Sequence, residues 1–259
     1  MTPIIVHGAA GRMGRRILAL AAEQPADYRI IAGVDRQAGT LRDLGLASDA
    51  PVLTALPAER GAVVIDFSHH AVFPSVIRHC VANGMPLASG TTGVAPSTLD
   101  AELIGAAGRI ACLHAGNMSV GVNVLLDVAA RLAKALGLDY DIEITEAHHN
   151  QKVDAPSGTA FALADAIATA TGRTRADMTY GREGQTGARR RGEIGIHALR
   201  MGDVVGDHMV WFVGGGERIQ LGHVAHNRDI FARGALRAAA FLLAAKAGRY
   251  HMRDVLGLA

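Results

Sequence analysis

The sequence predicts an α/β fold: a Rossmann-like doubly wound parallel sheet domain plus an inserted α+β domain with a mixed or antiparallel sheet. Three observations carry that prediction. Over roughly the first 115 residues short apolar runs alternate with helical patterns, and strands apolar on both faces belong in a parallel sheet covered by helices on each side. A glycine-rich turn, GAAGRMG at Gly8 to Gly14, stands where the first strand gives way to the first helix. After Asn117 the rhythm changes to glycine-punctuated strands, two of them joined by GGG as in a hairpin.

In order, Pro3 to His7 reads as a buried strand, Arg12 to Ala22 as a helix, and Arg29 to Val34 and Ala62 to Phe67 as strands. Phe73 to Asn83 reads as a helix, Pro86 to Ala88 as a strand, Pro96 to Ala107 as a helix, and Ile110 to His114 as a strand. A long helix from Val122 to Leu136 leads to a strand at Tyr140 to Thr145, a polar loop, and a helix from about Pro156 to Ala170. Strands follow at Gly192 to Arg200, His208 to Val213 and Glu217 to His223, and a last helix at Phe231 to Lys246 is free to return to the first domain. The expected domains are 1–118 with 229–259, and 119–228, with hinges near Ser119 and Arg228.

Composition excludes several classes. With 259 residues, 49% hydrophobic and 19% charged, the chain has ample apolar surface to offset the entropy of ordering its backbone, so it is not disordered. A net charge of +2, aromatics at 4% and a single dense basic run, Arg189 to Arg191, do not make a nucleic-acid surface; the run reads as a solvated loop. Cys80 and Cys112 are too few for a disulfide scaffold and fit a reducing cytoplasm. The start of the chain lacks a signal-peptide pattern, and the most apolar helix is interrupted by Arg237 and Lys246 and too short for a bilayer, so no membrane association is expected.

In the glycine loop, a backbone without Cβ atoms lets a pyrophosphate approach, and the first-turn N–H groups of the helix donate to it with help from the helix dipole. The spacing GxxGxxG puts Ala10 where the commoner form has glycine, so tight packing alone fits it equally well. The second strand decides for a dinucleotide. It ends in GVDR, with Asp35 about 20 residues past the last glycine, placed to accept ribose hydroxyls, and Arg36 placed to hold a 2′-phosphate; NADH, NADPH or both would fit. SGTTG (Ser89 to Gly93) and AGNM (Ala115 to Met118) also follow strands, at the edge where open parallel sheets bind ligands.

The polar loop, HHNQKVDAPSGT at residues 148–159, admits three readings. One is an ordinary surface loop. A metal site would draw on Glu143, Glu146, His148, His149 and Asp154, but adjacent histidines on a strand diverge and Lys152 repels a cation. The third is an anion-binding acid site: His149 and Lys152 supply positive charge, the helix start offers the N–H groups of Ser157, Gly158 and Thr159 to a carboxylate, and His148 exchanges a proton near neutral pH. That reading suits a small dianionic substrate beside a hydride donor.

EITEAHHNQKVDAPSGTA, Glu143 to Ala160, closely resembles the signature segment of the 4-hydroxy-tetrahydrodipicolinate (dihydrodipicolinate) reductase family of lysine and diaminopimelate biosynthesis. GAAGRMG, SGTTG, GNMSVGVN, REGQTG and MRDVLGL extend the resemblance over essentially the whole chain. Asp35 stands where some members have glutamate, and Gly116 and Met118 vary a family loop. The resemblance implies that Gly8, Ala9, Ala10, Gly11, Arg12, Met13, Asp35, Arg36, Gly90, Thr91, Thr92, Ala115, Gly116, Asn117 and Met118 bind NADH or NADPH. It further implies that His149, Gly158 and Thr159 bind the dicarboxylate substrate, that His148 is proton donor or acceptor and Lys152 a proton donor, and that the chain forms a homotetramer through the second sheet; from the residues themselves no metal is expected. Two other classes remain open from the residues alone: a different nicotinamide oxidoreductase, such as an aspartate or semialdehyde dehydrogenase, and a non-catalytic dinucleotide sensor. The first would need a reactive cysteine or an amine site; the second has no use for His148, His149 and Lys152 together.

Overall fold

The computed structural model describes residues 1–258. Chain order is β1 (Thr2–His7), α1 (Arg12–Ala22), β2 (Tyr28–Val34), β3 (Gly39–Thr40), β4 (Pro51–Leu53), β5 (Val63–Asp66), α2 (Phe73–Asn83), β6 (Leu87–Ser89), α3 (Pro96–Ala107) and β7 (Ala111–His114). Then come α4 (Val120–Leu136), β8 (Asp141–His148), α5 (Gly158–Thr171), β9 (Met178–Tyr180), β10 (Ile194–Arg200), β11 (Asp207–Val213), β12 (Arg218–Val224), α6 (Asp229–Ala244), β13 (Gly248–Tyr250) and α7 (Met252–Leu256). The chain divides into two compact units, Met1–Val120 with the segment from Asp229 onward, and Gly121–Arg228.

In the first unit the sheet order is β13-β7-β6-β5-β1-β2-β4-β3, parallel throughout except for β3 against β4. Alternate residues of each strand feed opposite cores, as a two-sided sheet requires. Ile4, Val6, Val63, Ile65 and Leu113 pack with Ile17, Leu18 and Leu236, whereas Ile5, Val64 and Cys112 pack with Phe73, Ile77 and Leu103. Helix α1 buries Gly14, Ile17, Leu18 and Ala21 on a single stripe. A Cβ on Gly14 would lie 2.1 Å from the Gly8 carbonyl oxygen, so only glycine allows α1 this close to β1. The returning helix α6 is alanine-rich on its buried side for the same reason of close approach: a Cβ on Gly234 would sit 1.8 Å from the Met118 oxygen.

The second unit holds a mixed sheet, β12-β11-β8-β10-β9. Strand β8 is central, parallel to β10 and antiparallel to β11. Ile142, Ile144, Ile196, Val210 and Phe212 pack with Leu125 and Ala129 of α4 and Leu163, Ala164 and Ile167 of α5. Strands β11 and β12 form the expected hairpin, closed by Gly214 N–H donating to the Glu217 carbonyl at 3.0 Å. Helix α5 is capped by Ser157, whose hydroxyl accepts the Ala160 N–H at 3.2 Å, and ends at Gly172 with φ +70°.

Several expected boundaries shift. Strand β8 continues three residues beyond Thr145 to His148, because Ala147 and His148 still pair with β11 and β10. Helix α5 starts at Gly158, not Pro156; α4 starts at Val120, and α6 spans Asp229–Ala244 instead of Phe231 to Lys246. The short strands β3, β4, β9 and β13 lack enough residues to show a period. Helix α7 carries a local signal, a capping box in which Asp254 accepts the His251 N–H at 2.7 Å.

Candidate active site

The first unit's sheet reverses its winding between β1 and β5, and ligands of open α/β sheets bind beyond the strand ends at such a point. Gly8 leaves β1 at φ +83°, where a Cβ would meet the Phe67 carbonyl oxygen at 2.5 Å. The Gly8 and Ala9 N–H groups donate to the Val34 oxygen, and the Ala10 N–H donates to Asp35 Oδ2 at 2.8 Å while Asp35 Oδ1 accepts the Arg36 N–H. Asp35 thus ties the glycine loop to the end of β2. Gly11 is the N-cap of α1 and offers no side-chain cap, and the first turn carries no acid, leaving the positive end of the helix dipole to a ligand. The glycine cradle, the uncapped helix start and an acid at the second strand's end fit a dinucleotide. Arg12 and Arg36 are exposed at its rim, whereas Ala9 and Met118 are buried core and offer only backbone.

The loops after β6 and β7 are locked to the same edge by a residue the sequence reading missed. Asp66 is 0% exposed. It accepts the Ser68 hydroxyl, the Ser89 hydroxyl at 2.9 Å and the Thr91 hydroxyl at 2.8 Å, and bonds His7 Nδ1 at 2.8 Å. The Thr91 hydroxyl therefore faces inward, and the Thr91 oxygen takes His114 Nε2 at 2.8 Å. Gly90 lies against the Phe67 ring, 2.3 Å from where its Cβ would be. Asn117 Oδ1 accepts the Ser119 N–H, and Ala115 N–H donates to Ser89, which joins the two loops.

Burial alone would raise the Asp66 pKa, but the His7, Ser68 and Thr91 bonds outweigh it and hold the carboxyl below its usual range. A depressed acid stabilises the fold above its unfolded pKa and loses that contribution as pH falls through the folded one. Asp66→Ala strands several buried donors and should cost roughly 3 kcal/mol at pH 7 by denaturant unfolding. The gap from the unsubstituted protein should narrow below about pH 4.

The second unit gathers its polar groups at the end of β8. Period-2 geometry puts Glu146 and His148 on the same face as Ile142 and Ile144, so they are buried, at 1% and 9% exposure, and do not emerge into a loop as expected. Glu146 Oε2 meets His148 Nδ1 at 2.6 Å, and Arg200 clasps both carboxylate oxygens at 3.0 and 3.1 Å. The Ser157 N–H donates to Glu146 Oε1 at 3.0 Å, so of the three N–H groups expected at the helix start this one is engaged internally. Gly158 is exposed, with open space where a Cβ would stand, and Thr159 is half-buried beside it. His208 packs edge-on against His148, ring centroids 5.2 Å apart, and its Nε2 bonds the Ser157 hydroxyl at 3.0 Å. Burial, then the neighbouring His148, pull the His208 pKa down to about 4.

His149 is half-buried, and its carbonyl accepts the Lys152 N–H. Lys152 Nζ pairs with Asp154 at 2.8 and 2.9 Å, and Arg200 Nη2 donates to the Asp154 carbonyl at 2.6 Å. The segment is pinned further by Met201 N–H to the His148 oxygen and Asn150 N–H to the Gly202 oxygen. The structure thus brings His148, Gly158 and Thr159 together through Glu146 and Ser157, and sets Lys152 on the same loop. Glu146, considered only as a metal ligand, Arg200 and His208 were not foreseen as parts of an acid site. Among the described residues no group of three or more His, Cys, Asp or Glu side chains is arranged to hold a metal ion.

Two expectations outside the site need correction or closure. Arg189 is not a solvated-loop residue: its guanidinium bonds Asp141 at 2.7 Å, Glu143 at 3.0 Å and the carbonyls of Ile142 and Glu193. Burial would raise Glu143, but Arg182, His197 and Arg189 hold it down at about 2. Only Arg190 and Arg191 carry mostly exposed side chains. Cys80 and Cys112 are free and buried, and burial pushes their thiols up to about 12 and about 11, far from a nucleophile's range.

Models of the dihydrodipicolinate reductase N-terminus and C-terminus match residues 2–118 and 121–256. The 4-hydroxy-tetrahydrodipicolinate reductase of Myxococcus xanthus is 44% identical over 99% of this chain and 98% of its own length. That of Alkalilimnicola ehrlichii is 45% identical over 99% of each. A dipicolinate-bound dihydrodipicolinate reductase from Paenisporosarcina sp. TG-14 superposes with a TM-score of 0.75 at 25% identity, covering 98% of both chains. With both halves matched by family models and relatives aligned from end to end, the chain belongs to the dihydrodipicolinate reductase family.

Proposed function

We propose that the chain reduces 4-hydroxy-tetrahydrodipicolinate to tetrahydrodipicolinate with loss of water, using NADH or NADPH, in lysine and diaminopimelate biosynthesis. Bound NADH or NADPH supplies the hydride, which goes to ring C4 after the 4-hydroxyl leaves as water. The first unit holds the cofactor: Gly8 to Met13 take the pyrophosphate on the start of α1, Asp35 and Arg36 the adenosine ribose, and Gly90 to Thr92 with Ala115 to Met118 the nicotinamide end. The second unit holds the substrate. The helix start at Gly158 and Thr159 takes one carboxylate, His149 the other, and Lys152 exchanges Asp154 for the substrate and donates a proton as the hydroxyl departs. His148 accepts the C3 proton lost in that elimination and returns a proton to C3 of the enamine that hydride addition leaves.

The observation that carries this reading is the imidazole of His148, set by a buried carboxylate at the end of β8 beside the first turn of α5, in a chain matched along its whole length by one reductase family. The reading extends to a cytoplasmic homotetramer. Its support is that Leu199, Val213 and Val224, on the sheet face turned away from α4 and α5, are 51%, 40% and 58% exposed. No described helix is long and apolar enough to cross a membrane.

The test follows NADH and NADPH absorbance in parallel with enzymatically generated 4-hydroxy-tetrahydrodipicolinate. Substrate-dependent oxidation of either cofactor is expected. Cofactor binding without oxidation would leave only a dinucleotide sensor.

A further inference from the structure

The pair at the end of β8 has a role beyond burying two polar groups. We propose that Glu146 is the positioning residue of the acid site: its carboxylate holds the His148 ring with hydrogen on Nδ1, leaving Nε2 as the atom that exchanges a proton with substrate. The inference rests on the assignment of His148 as the proton donor.

Four observations carry it. An ionised carboxylate can only accept, so the 2.6 Å contact to Glu146 Oε2 requires a hydrogen on His148 Nδ1. Burial would push the Glu146 carboxyl up, but Arg200 and His148 hold it below its usual range and keep it ionised. The carboxylate is itself immobilised. Arg200 grips both oxygens from β10, where it is the cross-strand partner of His148, and the Ser157 N–H fixes Oε1 from the start of α5. Finally, the residue beside Nε2 carries no side chain to crowd it: a Cβ at Gly206 would stand 3.0 Å from it.

The charged and titratable groups packed around the pair divide the remaining work. His208 on β11, the cross-strand partner of Glu146, is tied to Ser157 and, being neutral, does not compete for the proton. Behind it lies His223 on β12. Lys152 and Asp154 in the following loop neutralise one another, and Arg200 balances the charge of Glu146. The arrangement repeats the logic of a carboxylate that orients a catalytic imidazole without being protonated itself.

The diagnostic variant is Glu146→Gln, since Arg200 also holds the Asp154 carbonyl and its loss would disturb Lys152. An amide can accept from Nδ1–H or donate to an unprotonated Nδ1, so the ring is no longer confined to one tautomer, and the negative partner that favours imidazolium is gone. We expect kcat to fall about 100-fold or more with the substrate KM within about three-fold. The alkaline limb of the pH–rate profile should move to lower pH. In a His148→Gln background the same substitution should cost kcat nothing further, because the two residues act as one unit.

Should Glu146→Gln fail to fold, nitrogen NMR of histidine-labelled unsubstituted protein decides instead. Neutral His148 carrying its hydrogen on Nδ1 supports the proposal; hydrogen on Nε2 overturns it. So would an unchanged kcat and pH limb in a folded Glu146→Gln. Absence of reductase activity in the unsubstituted protein would sink the functional reading instead, while the tautomer measurement still judges this one.

Discussion

Replacing His148 by glutamine should lower kcat by about 10²- to 10⁴-fold, the usual worth of a positioned general acid, while NADH affinity changes less than about two-fold. Glutamine is close in length and can still bond Glu146, so the loss isolates the proton. The ring belongs to the second unit and lies at the end of β8, whereas the glycine loop, Asp35 and Arg36 are set by the first unit's sheet. Steady-state kinetics beside a fluorescence titration of NADH would separate the two effects. An unchanged kcat would remove the acid role.

Lys152→Ala should act on both binding and turnover. In the free chain Nζ is satisfied by Asp154, whose side chain is 59% exposed, so a substrate carboxylate can displace that partner at little cost in desolvation. Removing the ammonium takes away a charge-assisted bond and a proton source, and kcat/KM should fall about 100-fold with a raised substrate KM. Asp154 is then left exposed to water, so stability should change by less than about 0.5 kcal/mol in thermal unfolding. A normal substrate KM with only the cofactor affinity reduced would contradict the placement of Lys152.

The parallel sheet was legible because its strands are apolar on both faces and its turns carry glycine; helices α1, α2 and α3 begin and end at the residues the pattern predicted. The glycine loop and the acid at the end of β2 were legible for the same reason: a backbone that must approach a phosphate leaves a mark in residue type. What stayed hidden was long-range pairing. Asp66 sits in an ordinary strand end, and nothing in its neighbours shows that Ser89 and Thr91 will close on it. Glu146 and His148 stand out in the sequence, but the local pattern ends the strand three residues early, at Thr145, and so presents a buried dyad as part of a loop. The continuation depends on cross-strand partners at Arg200 and His208, more than fifty positions away and outside any local window. Arg189 is hidden likewise, since a run of three arginines looks solvated until the fold brings the carboxylates of Asp141 and Glu143 to it.

The return of α6 bears on synthesis. Ala232, Ala235, Leu236, Ala239 and Leu242 complete the apolar layer over one side of the parallel sheet, beside Ile4, Val6 and Ile65. A nascent chain emerging from the ribosome in order has only α1 to cover that side until residue 242 has cleared the exit tunnel. The inserted unit, Gly121–Arg228, is translated in full before then and contributes every strand of its own sheet. The inserted segment is therefore synthesised whole while the first unit is still incomplete, and a chain stopped just before α6 leaves the apolar layer around Ile4, Val6 and Ile65 unfinished.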